Sequence, residues 1–169
     1  MLNENSFHEA VENLLDEVAG VLVAQRRVLV TAESCTGGWI AQSATSCAGS
    51  SAWFDRAYVT YSNQAKQDML GVSSQTLADY GAVSQQTVAE MLSGALRGLD
   101  NAVAVAVSGI AGPGGGSEQK PVGTVYIGWL VTDREPVIRR YQFDGDRRQV
   151  RMQAVLEALS GIVSACRFS

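Results

Sequence analysis

Apolar residues recur along this chain with two different periods, which predict an alternation of helices and strands. Residues 7–22 repeat an apolar position every three or four residues, as an amphipathic helix does. Residues 28–32 and 102–107 are nearly continuous apolar runs, typical of strands that are covered on both faces. Residues 53–61 are rich in β-forming residues, and Ser62–Asn63 then offers a cap for a helix through Leu70.

The C-terminal half continues the pattern with two strands and a last helix. The strands, residues 122–131 and 136–143, flank a polar turn and predict a hairpin, so the sheet is expected to be mixed. Further helices are predicted from Gly37 to about Ser46, from Ser84 to about Leu99 and from Asp146 to Val163. No repeat or long linker divides the chain. We therefore predict a single α/β domain over residues 1–169, a three-layer α/β/α sandwich.

Composition narrows the possible classes of protein. With 169 residues, 46% hydrophobic and 18% charged, the chain can bury a hydrophobic core without the disulfide bonds or metal ions that very small domains need. A net charge of −4 argues against a nucleic-acid or membrane surface, and no segment reads as a signal peptide or a membrane span. The few, unevenly spaced cysteines, Cys35, Cys47 and Cys166, favour a reducing cytoplasm over a disulfide framework.

Two scarce residue types restrict the chemistry. His8 is the single histidine and precedes every motif, which removes the usual base of a serine triad and the usual ligand of a metal site. The chain has two lysines, Lys66 and Lys120, against eleven arginines. Lys66 lies in the first turns of a predicted helix, where the helix dipole disfavours a cation. We therefore expect a particular role for Lys66, whereas the sequence leaves the role of Lys120 open.

The segment 28–38 predicts a buried strand, a tight turn and a helix. The turn carries Glu33, Ser34, Thr36, Gly37 and Gly38 at the carboxyl end of the strand, where open α/β sheets place their ligands. The N–H groups at the start of the helix suit an anion or a developing oxyanion. A purely structural interpretation also stands, in which a hydroxyl caps the helix and the glycines form the turn.

A second loop, residues 108–116, has five glycines in nine residues directly after the strand at 102–107. Ser108, Gly109 and Gly112 open this loop, which is either a flexible linker or a site whose backbone lies close to a ligand. It lacks the Gly-Lys-Ser/Thr ending of a Walker loop. Three arginines at the start of the last helix, Arg147, Arg148 and Arg151, indicate either a docked anion or a solvated basic face.

A serine nucleophile needs a base, and in the absence of a usable histidine that base is neutral Lys66 or Tyr61 as a phenolate. Cys35 is a rival nucleophile, although it has no histidine partner and a cysteine next to a buried strand is more often a small core residue.

Three linked motifs, residues 31–38, 58–66 and 107–125, closely resemble the CinA C-terminal family, and the likeness extends from about Val28 to Arg151. The closest resemblance is to its stand-alone amidohydrolases, since longer members carry an additional nucleotide-pyrophosphatase domain. The resemblance implies hydrolysis of the carboxamide of nicotinamide mononucleotide, giving nicotinate mononucleotide and ammonia in pyridine-nucleotide recycling. It implies no metal and no cofactor. The sequence leaves the oligomeric state open, and a homo-oligomer is compatible with it.

The same resemblance implies roles for individual residues. Ser34 would be the nucleophile, with Tyr61 and Lys66 completing the catalytic centre, and Ser51 and Arg148 would contact the substrate. Amides near Thr36, Gly37 and Gly38 would hold the oxyanion. The loop residues Ser108, Gly109 and Gly112, with the arginines of the last helix, would suit the 5′-phosphate.

Two alternatives remain. The first is a nucleotide-binding module of the same fold without catalysis. The second is a serine peptidase or penicillin-binding-type hydrolase, which the sequence disfavours because Gly37 stands where a Ser-x-x-Lys motif needs lysine.

Overall fold

A computed structural model describes residues 1–167. Its helices and strands alternate as follows: α1 Glu4–Gln25, β1 Val28–Glu33, α2 Trp39–Ser46, a 3₁₀ turn Ser50–Ala52, β2 Phe54–Val59, α3 Asn63–Leu70, α4 Ser74–Tyr80, α5 Gln85–Ala95, β3 Ala102–Gly109, β4 Thr124–Val131, β5 Val137–Gln142 and α6 Arg147–Arg167.

The strands form one mixed sheet in the order β2-β1-β3-β4-β5. Strand β1 pairs in parallel with β2 and β3, whereas β4 runs antiparallel to both β3 and β5. Because β1, β2 and β3 are parallel, their carboxyl ends lie at the same edge of the sheet. This edge therefore carries Ser34, Thr60 and Ser108, which follow or end these three strands.

Helices cover both faces of the sheet. On one face α1, α2 and α6 bury the larger hydrophobic cluster, which includes Leu29, Val105 and Ile127. On the other face α3 and α5 pack on Val30, Ala32 and Ala104, and α4 contributes the half-buried Leu77. The predicted three-layer α/β/α arrangement with a mixed sheet is confirmed.

The elements differ from the sequence prediction in three places. Helix α5 ends at Ala95 instead of about Leu99. Helix α4 was not predicted, because its seven residues include no buried one and Ser73 caps it amid a polar stretch. Helix α6 continues to Arg167 instead of ending at Val163, and Cys166 is fully buried on it. No helix within residues 1–167 has the length and apolar content needed to cross a membrane.

Candidate active site

The turn after β1 holds Ser34 at the edge of the sheet. The Ser34 N–H donates to the carbonyl of Val107 at 3.0 Å, which joins the turn to β3. Gly37 and Gly38 have φ angles of 63° and 94°, and this left-handed backbone lets the chain enter α2 within a few residues. The Gly37 N–H donates to the Ser34 carbonyl at 3.0 Å, so that amide is used inside the turn.

The carboxylate of Glu33 is fully buried beneath this turn. It accepts hydrogen bonds from Thr36 Oγ1 at 2.8 Å, from the N–H groups of Ile40 at 2.8 Å and Ala41 at 3.0 Å, and from Thr31 Oγ1 at 3.2 Å. Glu33 thus caps α2 from the preceding strand. The N–H groups of Ile40 and Ala41 are therefore bound to a side chain of the protein and are not free for the ligand anion or oxyanion expected at the start of this helix.

Lys66 extends from α3 to Ser34, and its side chain is almost completely buried. Its ammonium donates to Ser34 Oγ at 2.9 Å, to the Thr60 carbonyl at 2.7 Å and to the Tyr61 carbonyl at 3.4 Å. Burial lowers the pKa of Lys66 from 10.5 to about 8, because a low-dielectric environment disfavours the charged form. A lysine with this pKa supplies free base near neutral pH, next to the serine hydroxyl.

Tyr61 lies at the mouth of the site and is 61% exposed. Its phenol oxygen accepts a hydrogen bond from Arg147 Nη2 at 3.0 Å. The other terminal nitrogen of Arg147 donates to the Gly112 carbonyl at 2.7 Å. Arg147 therefore connects α6 to Tyr61 and to the glycine-rich loop of residues 108–116, which we call the glycine loop.

Two adjoining cavities surround these groups. One of about 210 Å³ is lined by Ser34, Lys66 and Tyr61, with Ala82, Val83 and Ser108 among its other walls. The second, of about 650 Å³, is lined by Arg147, Arg148 and Arg151 together with loop residues, and we call it the arginine cavity. Ala111 and Arg147 line both, so the cavity beside Ser34 and Lys66 adjoins the one lined by the three arginines.

A further cavity of about 280 Å³ lies between β5 and α6, at the far end of the sheet. It is lined by Trp129, Tyr141 and Glu157 among others, and by none of the site residues predicted from the sequence.

The glycine loop contributes the third side of the site. Ser108 Oγ donates to the Ala82 carbonyl at 2.7 Å, which fixes a wall of the smaller cavity. Gly109 also lines that cavity, but a side chain there would strike Val125. Gly112 has a φ of 84° and a side chain there would strike Val122, so packing alone requires glycine at both positions.

Three predicted contact residues lie differently from expectation. Thr36 is fully buried and its hydroxyl is bound to Glu33, so its side chain is not free for substrate. Arg148 forms an ion pair with Glu4 at 2.8 Å and lies over the Trp39 ring, while also lining the arginine cavity. Ser51 is exposed on the 3₁₀ turn and lines neither cavity.

The remaining candidates have structural explanations. Burial raises the pKa of the Cys35 thiol to about 11, so the thiol stays protonated at neutral pH and is a poor nucleophile. Lys120 Nζ donates to the Tyr80 carbonyl at 2.8 Å, which ties the segment after the glycine loop to the end of α4. Across residues 1–167 no group of three or more His, Cys, Asp or Glu side chains is placed to bind a metal.

The sequence indicated the arginine cluster at the start of α6, but it did not indicate which arginine contacts Tyr61. Arg147 and Arg151 contact residues 86 and 115 or more positions away in the chain, which no local pattern reveals.

Comparison with known proteins places this site in context. The family model described as the CinA C-terminal domain matches residues 11–166. The Escherichia coli (strain K12) protein named nicotinamide-nucleotide amidohydrolase PncC is 53% identical over 146 residues, which cover 86% of this chain and 88% of that protein. The Enterobacter agglomerans protein of the same name is 51% identical over 94% of each chain. The crystal structure of the competence/damage inducible protein CihA from Agrobacterium tumefaciens superposes with a TM-score of 0.88 at 43% identity, covering 92% of this chain and 94% of that one.

Proposed function

This chain belongs to the CinA C-terminal family, and from that premise we propose that it hydrolyses the carboxamide of nicotinamide mononucleotide to nicotinate mononucleotide and ammonia. It is an amidohydrolase, and the reaction serves pyridine-nucleotide recycling. The observation that supports a serine mechanism most directly is the buried contact of 2.9 Å between Lys66 Nζ and Ser34 Oγ. A serine hydroxyl becomes nucleophilic when an adjacent base removes its proton, and Lys66 is in contact with it.

In the proposed mechanism neutral Lys66 takes the Ser34 proton while Ser34 Oγ attacks the amide carbon. The resulting ammonium then gives its proton to the departing amine, so that ammonia leaves and an acyl-enzyme forms. Water hydrolyses the ester by the same proton route in reverse. We assign Tyr61 a part in proton transfer because it lines the same cavity as Ser34 and Lys66, and its phenol oxygen accepts a hydrogen bond from Arg147 at 3.0 Å.

The nucleotide's phosphate is assigned to the arginine cavity. Arg147 and Arg148 line it, and charge-assisted hydrogen bonds from guanidinium groups suit phosphate oxygens. The pyridine ring then lies in the smaller cavity beside Ala82 and Val83, and its carboxamide reaches Ser34. Glycine-loop residues from Ser108 to Gly112 form the boundary between the two ends of the substrate.

Ammonia release from a panel of pyridine compounds tests this assignment. The panel contains nicotinamide mononucleotide, its dephosphorylated nucleoside, free nicotinamide and the dinucleotide. We expect the mononucleotide to have the highest kcat/KM, and the nucleoside to lose mainly in KM because it lacks the anionic end. Binding of the mononucleotide without release of ammonia would contradict the enzyme assignment and favour a nucleotide-binding module.

A further inference from the structure

Arg151 holds the turn after Ser34 from the side of α6. Its Nε donates to the Cys35 carbonyl at 3.0 Å and its Nη2 donates to the Thr36 carbonyl at 3.0 Å. The guanidinium itself is held over the Trp39 ring, with its carbon 5.1 Å from the ring centroid. The planar guanidinium thus holds two successive peptide groups with two of its nitrogens. A lysine ammonium is a compact point charge and lacks this fixed, planar pair of donors.

These two bonds set the direction of the N–H groups on the other side of each peptide. In a trans peptide the carbonyl of one residue and the N–H of the next point in opposite directions. By holding the Cys35 carbonyl toward α6, Arg151 turns the Thr36 N–H away from α6. The Thr36 carbonyl is held likewise, and the opposed Gly37 N–H donates to the Ser34 carbonyl.

The Thr36 N–H is left without an acceptor. Thr36 is fully buried, and no backbone or side-chain oxygen within residues 1–167 accepts a hydrogen bond from its amide. More than about 90% of buried backbone N–H groups in proteins are paired, so an unpaired one beside a nucleophile indicates a place for a ligand oxygen.

We propose that Arg151 is a positioning residue that orients the Thr36 amide toward the oxyanion formed at the reacting carbon. This inference rests on the proposed function in that the oxyanion arises from attack by Ser34. Arg151 touches neither Ser34 Oγ nor Lys66, and it acts through the peptide groups that it holds. Glu33 beneath the turn holds the start of α2, whereas Arg151 holds the Cys35–Thr36 peptide, whose N–H is left for the substrate.

The kinetic test compares Arg151→Lys and Arg151→Met with the same changes at Arg167, which lies at the far end of α6 and pairs with Glu17. A displacement of reacting groups by about 1 Å can cost about 10²-fold in rate. We therefore expect kcat to fall by about 10²-fold in both Arg151 variants, with KM changed by less than about 3-fold. The fall should be the same for the mononucleotide and the nucleoside. The Arg167 variants should retain wild-type kcat.

A second measurement does not depend on the physiological substrate. A fluorophosphonate reacts with an activated serine so that a Ser34 Oγ–P bond forms, the P–F bond breaks, fluoride leaves and Lys66 takes the proton. Its phosphoryl oxygen then occupies the oxyanion position. The labelling rate, followed by intact mass with Ser34→Ala as the blank, should fall in the Arg151 variants and stay unchanged in the Arg167 variants.

The two measurements separate the possible failures. Wild-type labelling at Ser34 without ammonia release would refute the proposed function, and the labelling comparison would still decide the role of Arg151. Equal labelling and equal kcat in Arg151→Lys, or an unlabelled wild type, would overturn the inference. A loss confined to KM for the mononucleotide would also overturn it, because it would assign Arg151 to the phosphate. Thermal unfolding of each variant checks folding, and the Lys variant alone decides if the Met variant does not fold.

Discussion

The pH dependence of kcat/KM tests whether Lys66 is the base. The perturbation is a change of pH from 6 to 9.5, and the relevant quantity is the fraction of Lys66 that is neutral. With the pKa of Lys66 lowered to about 8, about 9% of molecules carry the free base at pH 7, whereas a pKa of 10.5 would leave about 0.03%. Burial of this one side chain therefore supplies about 300 times more base at neutral pH.

Because neutral Lys66 is the active form, kcat/KM increases with pH. We expect kcat/KM to rise about tenfold between pH 7 and 9 and then level off, with an apparent pKa of about 8. Initial rates of ammonia release give the profile. The nucleoside is measured in parallel, because the phosphate of the mononucleotide ionises near about pH 6.

The groups near Lys66 define the control. Tyr61 and Arg147 line the same cavity, and the Cys35 thiol lies against it with its own pKa raised to about 11 by burial. Cys35→Ala should therefore leave the midpoint of the profile near 8. A profile that is flat from pH 6 to 9, or one that still rises at pH 9.5 without levelling off, would refute Lys66 as the base. A midpoint that disappears in Cys35→Ala would assign the titration to the thiol.

Three further outcomes are expected. Lys66→Ala and Tyr61→Phe should each lower kcat by about 10²–10⁴-fold with little change in substrate affinity, because both act in proton transfer; a rise in KM alone would make that residue a binding group. Deamidation should persist after exhaustive chelation with EDTA, and loss of activity restored by zinc or manganese would contradict a metal-free mechanism. Arg148→Ala should weaken mononucleotide binding by about 10-fold and nucleoside binding little, whereas Glu4→Gln, which frees Arg148 from its ion pair, should not weaken either; equal losses for both ligands would place the phosphate elsewhere.

The parts of the fold that follow local patterns were predictable from the sequence. The strand–turn–helix around Ser34 and the helix carrying Lys66 each have their own periodicity and caps, and the common edge of a parallel sheet brings them together. Helix α4 was missed because a short helix with no buried residue leaves no apolar period. The ends of α6 were set by packing against α1 and the sheet, which local composition does not report.

The proximity of Lys66 to Ser34 was predictable from the sequence, whereas the contacts of the arginines were not. The scarcity of histidine and lysine indicated a particular role for Lys66, and in the structure its amine contacts Ser34. The contacts of Arg147 with Tyr61 and of Arg151 with the Cys35 carbonyl join residues that are distant in the chain. Only the folded arrangement of α6 over the turn distinguishes these arginines from their neighbour Arg148.

The most direct test of deamidation through Ser34 is ammonia release from nicotinamide mononucleotide by the wild type and by Ser34→Ala. Binding of the mononucleotide is measured calorimetrically for both proteins. We expect the wild type to release ammonia, and Ser34→Ala to bind the mononucleotide with similar affinity but to release none above background. Wild-type turnover in the Ser34→Ala protein would contradict the serine mechanism. A wild type that binds the mononucleotide and leaves its carboxamide intact would contradict the function itself.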